Sequence, residues 1–374
     1  AGPFLHAALH VCDWSNLKSL RSLINTKIEE GGGEVPPFSP VLIDDTPSIQ
    51  LACATQWVQQ NFPQRDDRSR LVQAEHNPKG RIRLAYLSSD FYDHATTRLI
   101  VELLESHDRD EFCVTAYSYS PDFPSDMRQR VVNAFEHFVD VRGWTAEKFA
   151  SQVSTDRIDI LVDLKGHTEG ARFDFVAQRV APLQVEYLGY PGTCGAEFVD
   201  YILADAVVAP LDHQRFYSEQ IVQLPVCYQP NDSRRSLPTH TLGRAHYNLP
   251  KTGFIFCCFN NNYKITPEVF DAWVQILDAV PESCLWLLLD NQLAVNNLCK
   301  SAEQHGIDPR RLVFAPREAY SDYLARFLIA DLFLDTYPVC AHTTASDSLW
   351  MGCPILTVRG KSFASRVSAS LLFA

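Results

Sequence analysis

The chain has 374 residues, 46% of them hydrophobic and 21% charged, and at about 150 residues per domain it has room for two to three folded units. Its net charge of −12 at pH 7 argues against non-specific binding to nucleic acid or to anionic membranes, so a phosphate-bearing ligand would have to meet a local positive potential. No apolar run reaches the ~18 residues of a membrane span, and the leading segment AGPFLHAALHVCDWS lacks the charged-then-apolar layout of a signal peptide, which points to a cytoplasmic protein. The eleven cysteines contain no Cys-x-x-Cys and read as reduced, buried thiols.

Residues 1–80 form a distinct leading region. Leu5, Leu9, Leu17, Leu20 and Leu23 suggest short amphipathic helices, broken at Gly31-Gly32-Gly33 and Pro36-Pro37. A further helix is expected from Ile49 to Asn61, and the polar stretch Pro63 to Gly80 reads as a linker. From Arg81 the pattern becomes strand, loop, helix. Strands are expected at Arg81–Ser88, Phe112–Tyr119, Asp159–Leu164, Gln184–Leu188 and Tyr201–Ala204, with a helix over Thr96–Ser106 after the first. After a stretch rich in Pro, His and Arg around 229–245 the alternation restarts. Strands follow at Phe254–Phe259, Leu285–Leu289, Leu312–Phe314, Asp331–Leu334 and Pro354–Val358, and a helix over Pro267–Ala279 has Thr266 as N-cap and Pro267 at its first position. Two successive βα series predict two doubly wound α/β domains, at 81–240 and 241–374, with ligands beyond the carboxyl ends of their strands and in the cleft between them.

Five loops after strand ends carry the candidate chemistry. In Ser88-Ser89-Asp90-Phe91-Tyr92-Asp93-His94, His94 can serve as a general base oriented by Asp90 or Asp93; equally, Asp93 can cap the following helix and leave His94 on the surface. Gly166-His167-Thr168-Glu169-Gly170 is either a ligand loop or a turn. The loop Leu188 to Gly195, with three glycines and Pro191, permits close backbone approach to a ligand, but its spacing is not G-x-G-x-x-G and no G-x-x-x-x-G-K-[ST] occurs, so a dinucleotide site is unsupported. In Phe259-Asn-Asn-Asn-Tyr-Lys264, the lysine can meet a phosphate as a point charge; the alternative is an ordinary surface lysine, and the three asparagines favour the functional reading. In Cys340-Ala-His-Thr-Thr-Ala-Ser-Asp347, Thr343 or Thr344 is expected to cap a helix whose N-terminus forms an anion site. Asp347 near its third position would then serve the helix dipole or a ribose hydroxyl. The one Asp-x-Asp, Asp108-Arg-Asp110, precedes a strand and so sits at the wrong end for a catalytic metal. No metal or other cofactor is expected, and a leaving diphosphate falls to Lys264 and helix N-termini.

From Arg81 to the C-terminus the ordered motifs SSDFYDHATT, DILVDLKGHTEGAR, APLQVEYLGYPGTCGAEFVDY, CCFNNNYKITP, ADLFLDTYP, AHTTASDSLWMGCPILT and GKSFASRVSASLL resemble the catalytic region of the O-linked N-acetylglucosamine transferases, nearest their bacterial branch. The resemblance implies a GT-B fold, two Rossmann-like domains facing a cleft and preceded by a short helical connector. It implies a UDP-N-acetylglucosamine donor and inverting, metal-free transfer to Ser or Thr hydroxyls of a protein or peptide acceptor, with tetratricopeptide repeats before residue 1 and further helices after residue 374. In this picture Lys264 holds the diphosphate, and His342, Thr343 and Thr344 line pyrophosphate and uridine. Asp347 meets the ribose, and Arg326, Pro191 and Gly192 complete the nucleotide-sugar site. His94 matches a family histidine that serves as base or positions donor and acceptor. Asn261 stands where animal members carry a glutamine, and Tyr323 where they carry a histidine that stacks on uracil. The alternatives are a SPINDLY-like enzyme using GDP-fucose, an asparagine glucosyltransferase using UDP-glucose, and an idle scaffold that keeps the fold.

Overall fold

The strand Ile82–Ser88 (β1), apolar over Leu84–Leu87, buries its last five residues, as a strand flanked on both faces must. It opens a seven-stranded, all-parallel sheet with β2 (Phe112–Ser118), β3 (His137–Asp140), β4 (Ile160–Asp163), β5 (Leu183–Glu186), β6 (Tyr201–Ala204) and β7 (Gln220–Gln223), in the order β3-β2-β1-β4-β5-β6-β7. The second βα series builds a five-stranded parallel sheet from β8 (Ile255–Cys258), β9 (Cys284–Leu288), β10 (Leu312–Ala315), β11 (Leu332–Leu334) and β12 (Ile355–Leu356), ordered β10-β9-β8-β11-β12. Both orders step outward from the first strand in the two directions, which is the doubly wound arrangement, and both switch direction at that strand. The computed structural model describes residues 2–63, 80–238 and 242–374. The expected linker Pro63–Gly80 therefore lies, over 64–79, outside the described residues.

The chain divides into two units, one comprising Glu30–Phe38 and Thr46–Arg234 around the seven-stranded sheet, the other Ala1–Glu29, Ser39–Asp45 and Arg235–Phe373 around the five-stranded sheet. The leading region, read from sequence as one helical connector, is thus shared between them, and the later boundary falls at Arg234/Arg235. In the seven-stranded unit Tyr117, Phe149 and Phe175 form the aromatic centre, the last two stacked with centroids 4.3 Å apart. In the five-stranded unit every residue of β8 and β9 is buried, including Trp286 and the adjacent Cys257 and Cys258. All eleven cysteines are free thiols, most of them buried, and burial pushes the Cys12, Cys53 and Cys340 thiols up to about 12, so they are protonated packing groups.

Thr266 caps Pro267–Ala279 as expected, its hydroxyl accepting from the Val269 amide. The helix Leu17–Glu29 turns Leu17, Leu20, Ile24 and Ile28 inward and leaves Leu23 46% exposed, so Leu23 is not part of the apolar stripe. Two strands were illegible in the sequence, β3 and β7. They are the two edges of the larger sheet, and β3, exposed at both ends, has no apolar run to mark it. The expected strand over Gln184–Leu188 stops at Glu186, because Leu188 turns into the left-handed region at φ +70°.

The segment Ser39–Asp45 does specific work in the five-stranded unit. Asp45 accepts from the Tyr337 hydroxyl at 2.9 Å, from the amides of Lys361 and Ser362 at 2.6 and 2.9 Å, and from the Ser362 and Ser365 hydroxyls. A Cβ on Gly360 would stand 2.4 Å from that carboxylate, which requires glycine there. Asp45→Ala, which takes the shared acceptor from five donors, is expected to cost about 2–3 kcal/mol in denaturant unfolding. A loss below ~0.5 kcal/mol would show that the carboxylate is dispensable to the loop.

Candidate functional site

In the five-stranded unit the residues expected to hold a diphosphate converge at the carboxyl ends of β8 and β11. Lys264 follows β8 in a short 3-10 turn, Asn262–Lys264, and its Nζ donates to the Cys340 carbonyl at 2.9 Å. Cys340 is fixed in turn by its own amide to the Ala364 carbonyl at 3.0 Å, so the loop pinned by Asp45 also seats the lysine's anchor. The buried Asp335 at the end of β11 accepts from the Thr336 and Ala341 amides at 2.8 and 2.7 Å and from the Thr357 hydroxyl at 2.7 Å, and burial raises its pKa. Neither Asp45 nor Asp335 was singled out from sequence. The run Asp331 to Leu334, followed directly by an aspartate, was the available signal for the second.

The helix Thr343–Trp350 starts beside Lys264. Its N-cap is His342 and not a threonine: Thr343 and Thr344 are its first two residues, and no side chain caps it. Half-buried threonine hydroxyls therefore flank a helix N-terminus where the Ala345 and Ser346 amides bond the His342 carbonyl and the Thr343 and Thr344 amides lead the helix, the position at which an anion is met. His342 is neutral at physiological pH, since burial and the neighbouring Lys264 push it down to about 3. It can offer an N–H, not a positive charge.

Asp347 is the fifth helical residue, not the third, and it is buried. Its Oδ1 accepts from Arg235 at 2.9 Å and from the Tyr320 hydroxyl at 2.8 Å, and Arg235 also lies over the Trp350 ring, 4.6 Å from its centroid. Arg235 comes from the Pro-, His- and Arg-rich stretch, whose composition did not reveal it as a buried partner. Tyr323 is half-buried among Tyr320, Phe259 and Phe327, and burial together with Asp347 raises its phenol well above its usual range. Asn261 gives its side-chain oxygen to Arg317 at 2.9 Å. Arg326 corrects the sequence reading: it has no exposure, and its guanidinium binds Glu318 and the Pro316 carbonyl, so it shapes the loop after β10 and does not face a ligand.

In the seven-stranded unit the loops after β1, β4 and β5 carry the expected residues. His94, not Asp93, caps the helix Ala95–Glu105, its Nδ1 accepting from the Thr96 amide at 3.2 Å. Asp93 turns to Arg98 instead, at 2.5 Å. Asp90 lies behind, 3.7 Å from His94 Nδ1, in a buried ion pair with Lys165, a residue the sequence reading passed over beside Gly166 and His167. His167 takes the turn alternative: it is bonded through Nε2 to the Cys194 carbonyl at 2.7 Å, and burial pushes it down to about 4.

The loop 188–195, with Pro191 and Gly192 both buried, is held by Glu219, which accepts from the Thr193 hydroxyl and the Cys194 amide, each at 2.6 Å. A Cβ on Gly189 would fall 1.9 Å from the Leu164 carbonyl, so that glycine serves packing of the loop on β4's exit. Beneath lies Glu186, fully buried, with neither carboxyl oxygen in a well-formed hydrogen bond among the described residues. Burial, with Asp163 and Glu219 nearby, raises its pKa well above 4.5.

Glu186 sets a pH dependence. As pH rises past about 4.5 the unfolded chain loses this proton while the folded chain keeps it, so the unfolded state binds fewer protons and stability falls. Asp163, raised to about 6, acts in the same sense up to that pH. Glu186→Gln should flatten part of the fall in denaturant midpoint between about pH 4.5 and 7, and equal slopes in both proteins would refute the assignment.

Among the described residues no group of three or more His, Cys, Asp or Glu side chains is placed to hold a metal ion, and no helix is long and apolar enough to cross a membrane. Asp108 and Asp110 sit in the turn before β2, at the amino end of the sheet.

Two parallel sheets of doubly wound order, with a lysine and an uncapped helix N-terminus at the carboxyl ends of the second, define the GT-B class of nucleotide-sugar glycosyltransferase fold. The glycosyl transferase family 41 model matches residues 67–242 and 237–374, and the chain belongs to that family. It is 38% identical over 300 residues to the probable UDP-N-acetylglucosamine–peptide N-acetylglucosaminyltransferase SEC of Arabidopsis thaliana, covering 79% of this chain and 31% of that protein. It is 34% identical to the Arabidopsis thaliana protein of the same described activity called SPINDLY, covering 79% of this chain and 33% of that one. A solved structure of a Thermobaculum terrenum O-GlcNAc transferase mutant superposes with a TM-score of 0.85 at 26% identity, covering 100% of this chain and 72% of that one. The chain spans about a third of the length of these curated relatives.

Proposed function

We propose that this chain is the catalytic region of a protein O-linked N-acetylglucosamine transferase, moving the sugar from UDP-N-acetylglucosamine to Ser or Thr hydroxyls with inversion and without metal. The observation that carries the reading is the Lys264 ammonium anchored on the Cys340 carbonyl beside the uncapped start of the helix Thr343–Trp350. A cation and free helix amides at one point suit a diphosphate that gains charge as it leaves. The acceptor oxygen bonds to the sugar's anomeric carbon, the bond from that carbon to the β-phosphate oxygen breaks, and UDP departs against Lys264. His94 is poorly suited to take the acceptor proton through Nδ1, because that atom already accepts from Thr96. The neutral ring then carries its proton on Nε2 and serves as a donor that positions substrate. The acceptor proton passes to a phosphate oxygen of the donor.

Calorimetric titration with UDP, UDP-N-acetylglucosamine, UDP-glucose and GDP-fucose, each with and without EDTA, tests the reading. Uridine nucleotides should bind equally in both conditions, with the N-acetylglucosamine donor preferred over the glucose donor. Binding of GDP-fucose alone would overturn the donor assignment, and dependence on a chelatable ion would overturn the metal-free chemistry.

A further inference from the structure

β1 and β4 are neighbours in register, Leu87 opposite Asp163, so the chain leaves both strands at the same edge of the sheet and brings Asp90 against Lys165. Lys165 Nζ donates to both Asp90 oxygens, at 3.2 and 3.0 Å, and each side chain is only 8% exposed. The rest of Asp90 is equally fixed. Ser89 donates to Oδ1, the Asp90 amide bonds Ser88 Oγ at 2.9 Å, and its carbonyl accepts from the Thr97 hydroxyl. These bonds hold Asp90 on Lys165, and the 3.7 Å between Oδ2 and His94 Nδ1 is too long for a hydrogen bond.

A histidine next to a buried carboxylate ordinarily gains a proton. Here a proton on Nδ1 would displace the Thr96 amide and remove the cap of the helix Ala95–Glu105. The groups facing the ring are Tyr92, 5.5 Å between centroids, Asp93, which is paired with Arg98, Asp90, and Lys165 arriving from the loop after β4. Asp163 and Tyr119 bear on the Asp90–Lys165 pair from the strand ends around it. Of these, Lys165 is the cation arriving from outside the ring's own segment.

We infer that Lys165 is a positioning residue that saturates Asp90 and thereby holds His94 as the neutral imidazole with its proton on Nε2. Its catalytic consequence rests on the proposed transferase reading; its effect on the ring does not. The burial and charge around His94 act in the same direction, with desolvation the largest cause lowering its pKa and Lys165 adding to it against Asp90 and Asp93.

The test is ¹⁵N NMR of the imidazole rings in the full chain, with His94 assigned by the signal lost in His94→Gln. In the parent protein His94 should show the Nε2–H tautomer at neutral pH. In Lys165→Met its titration should shift to higher pH, both nitrogens becoming protonated under mildly acidic conditions, and Lys165→Arg should keep the parent behaviour. The double variant Asp90→Asn/Lys165→Met should return the ring to neutral. An unchanged His94 titration in a folded Lys165→Met protein overturns the inference. Should that variant not fold, Asp90→Asn alone decides, because removing the acid while keeping the lysine should shift the titration to lower pH, and no shift overturns the inference as well. Turnover followed in parallel separates the two readings: a parent protein whose ring behaves as expected but which transfers no sugar refutes the transferase assignment and leaves Lys165 in its role.

Discussion

Lys264→Ala is expected to fold normally and to lose about 10²- to 10³-fold in kcat, the usual consequence of deleting one preorganised charge from a site where charge develops in the transition state. The fold survives because Lys264 is half-buried at a loop, and Cys340, the partner it leaves, keeps its own amide bond to the Ala364 carbonyl. The loss falls on kcat more than on KM, since the diphosphate is more negative as it leaves than when bound as donor. Lys264→Arg should not restore the rate: the ammonium sits as a point charge on one carbonyl, and a guanidinium fork has a different reach and donor geometry. A second readout is independent of turnover. His342 is held down to about 3 by burial first and Lys264 second, so the alanine variant should titrate His342 at higher pH. A variant with near-parent kcat would remove Lys264 from the leaving group, and an unmoved His342 would remove it from the helix start.

The parts of this architecture that the sequence announces are those with strong local signals. β8 and β9 are continuous apolar runs, β1 carries the apolar stretch Leu84–Leu87, and Thr266-Pro267 marks a helix start in two residues, so these are readable one segment at a time. β3 and β7 lie at the edges of their sheet and lack that signal. At the site, composition identified the loops and misassigned several atoms within them. Thr343 and Thr344 were expected to cap a helix that His342 heads, and Arg326 was expected at a ligand although it is itself buried and a half-buried carboxylate, Glu318, claims it. The unread residues share a feature: Asp45 acts on a loop 316 to 320 positions away, Lys165 on Asp90 75 positions away, and Arg235 on Asp347 112 positions away. Pairings across such separations are made by topology, and a buried charge gives no periodic trace of the partner it will meet.

Asp347 puts that distinction to a measurement, because it is expected on a donor ribose and is also found on Arg235. Arg235 and Asp347 side chains are 7% and 3% exposed, so this is a buried pair, for which removing one partner costs about 3–5 kcal/mol by leaving the other charge unsolvated. Asp347→Asn should therefore destabilise by roughly that amount in denaturant unfolding, and any fall in UDP affinity in this single variant would mix lost structure with lost contact. Arg235→Met with Asp347→Asn removes both charges and should recover most of the stability, since buried ion pairs replaced by apolar or neutral groups are often tolerated. The Tyr320 hydroxyl, 2.8 Å from Oδ1, still finds an acceptor in the asparagine. If Asp347 also accepts from the ribose, the repaired double variant should remain about 10- to 100-fold weaker for UDP, the value of a lost hydrogen bond to a charged group. Recovery of both stability and UDP affinity would confine Asp347 to holding Arg235 and the Trp350 end of its helix, and would place ribose recognition on other residues of the five-stranded unit.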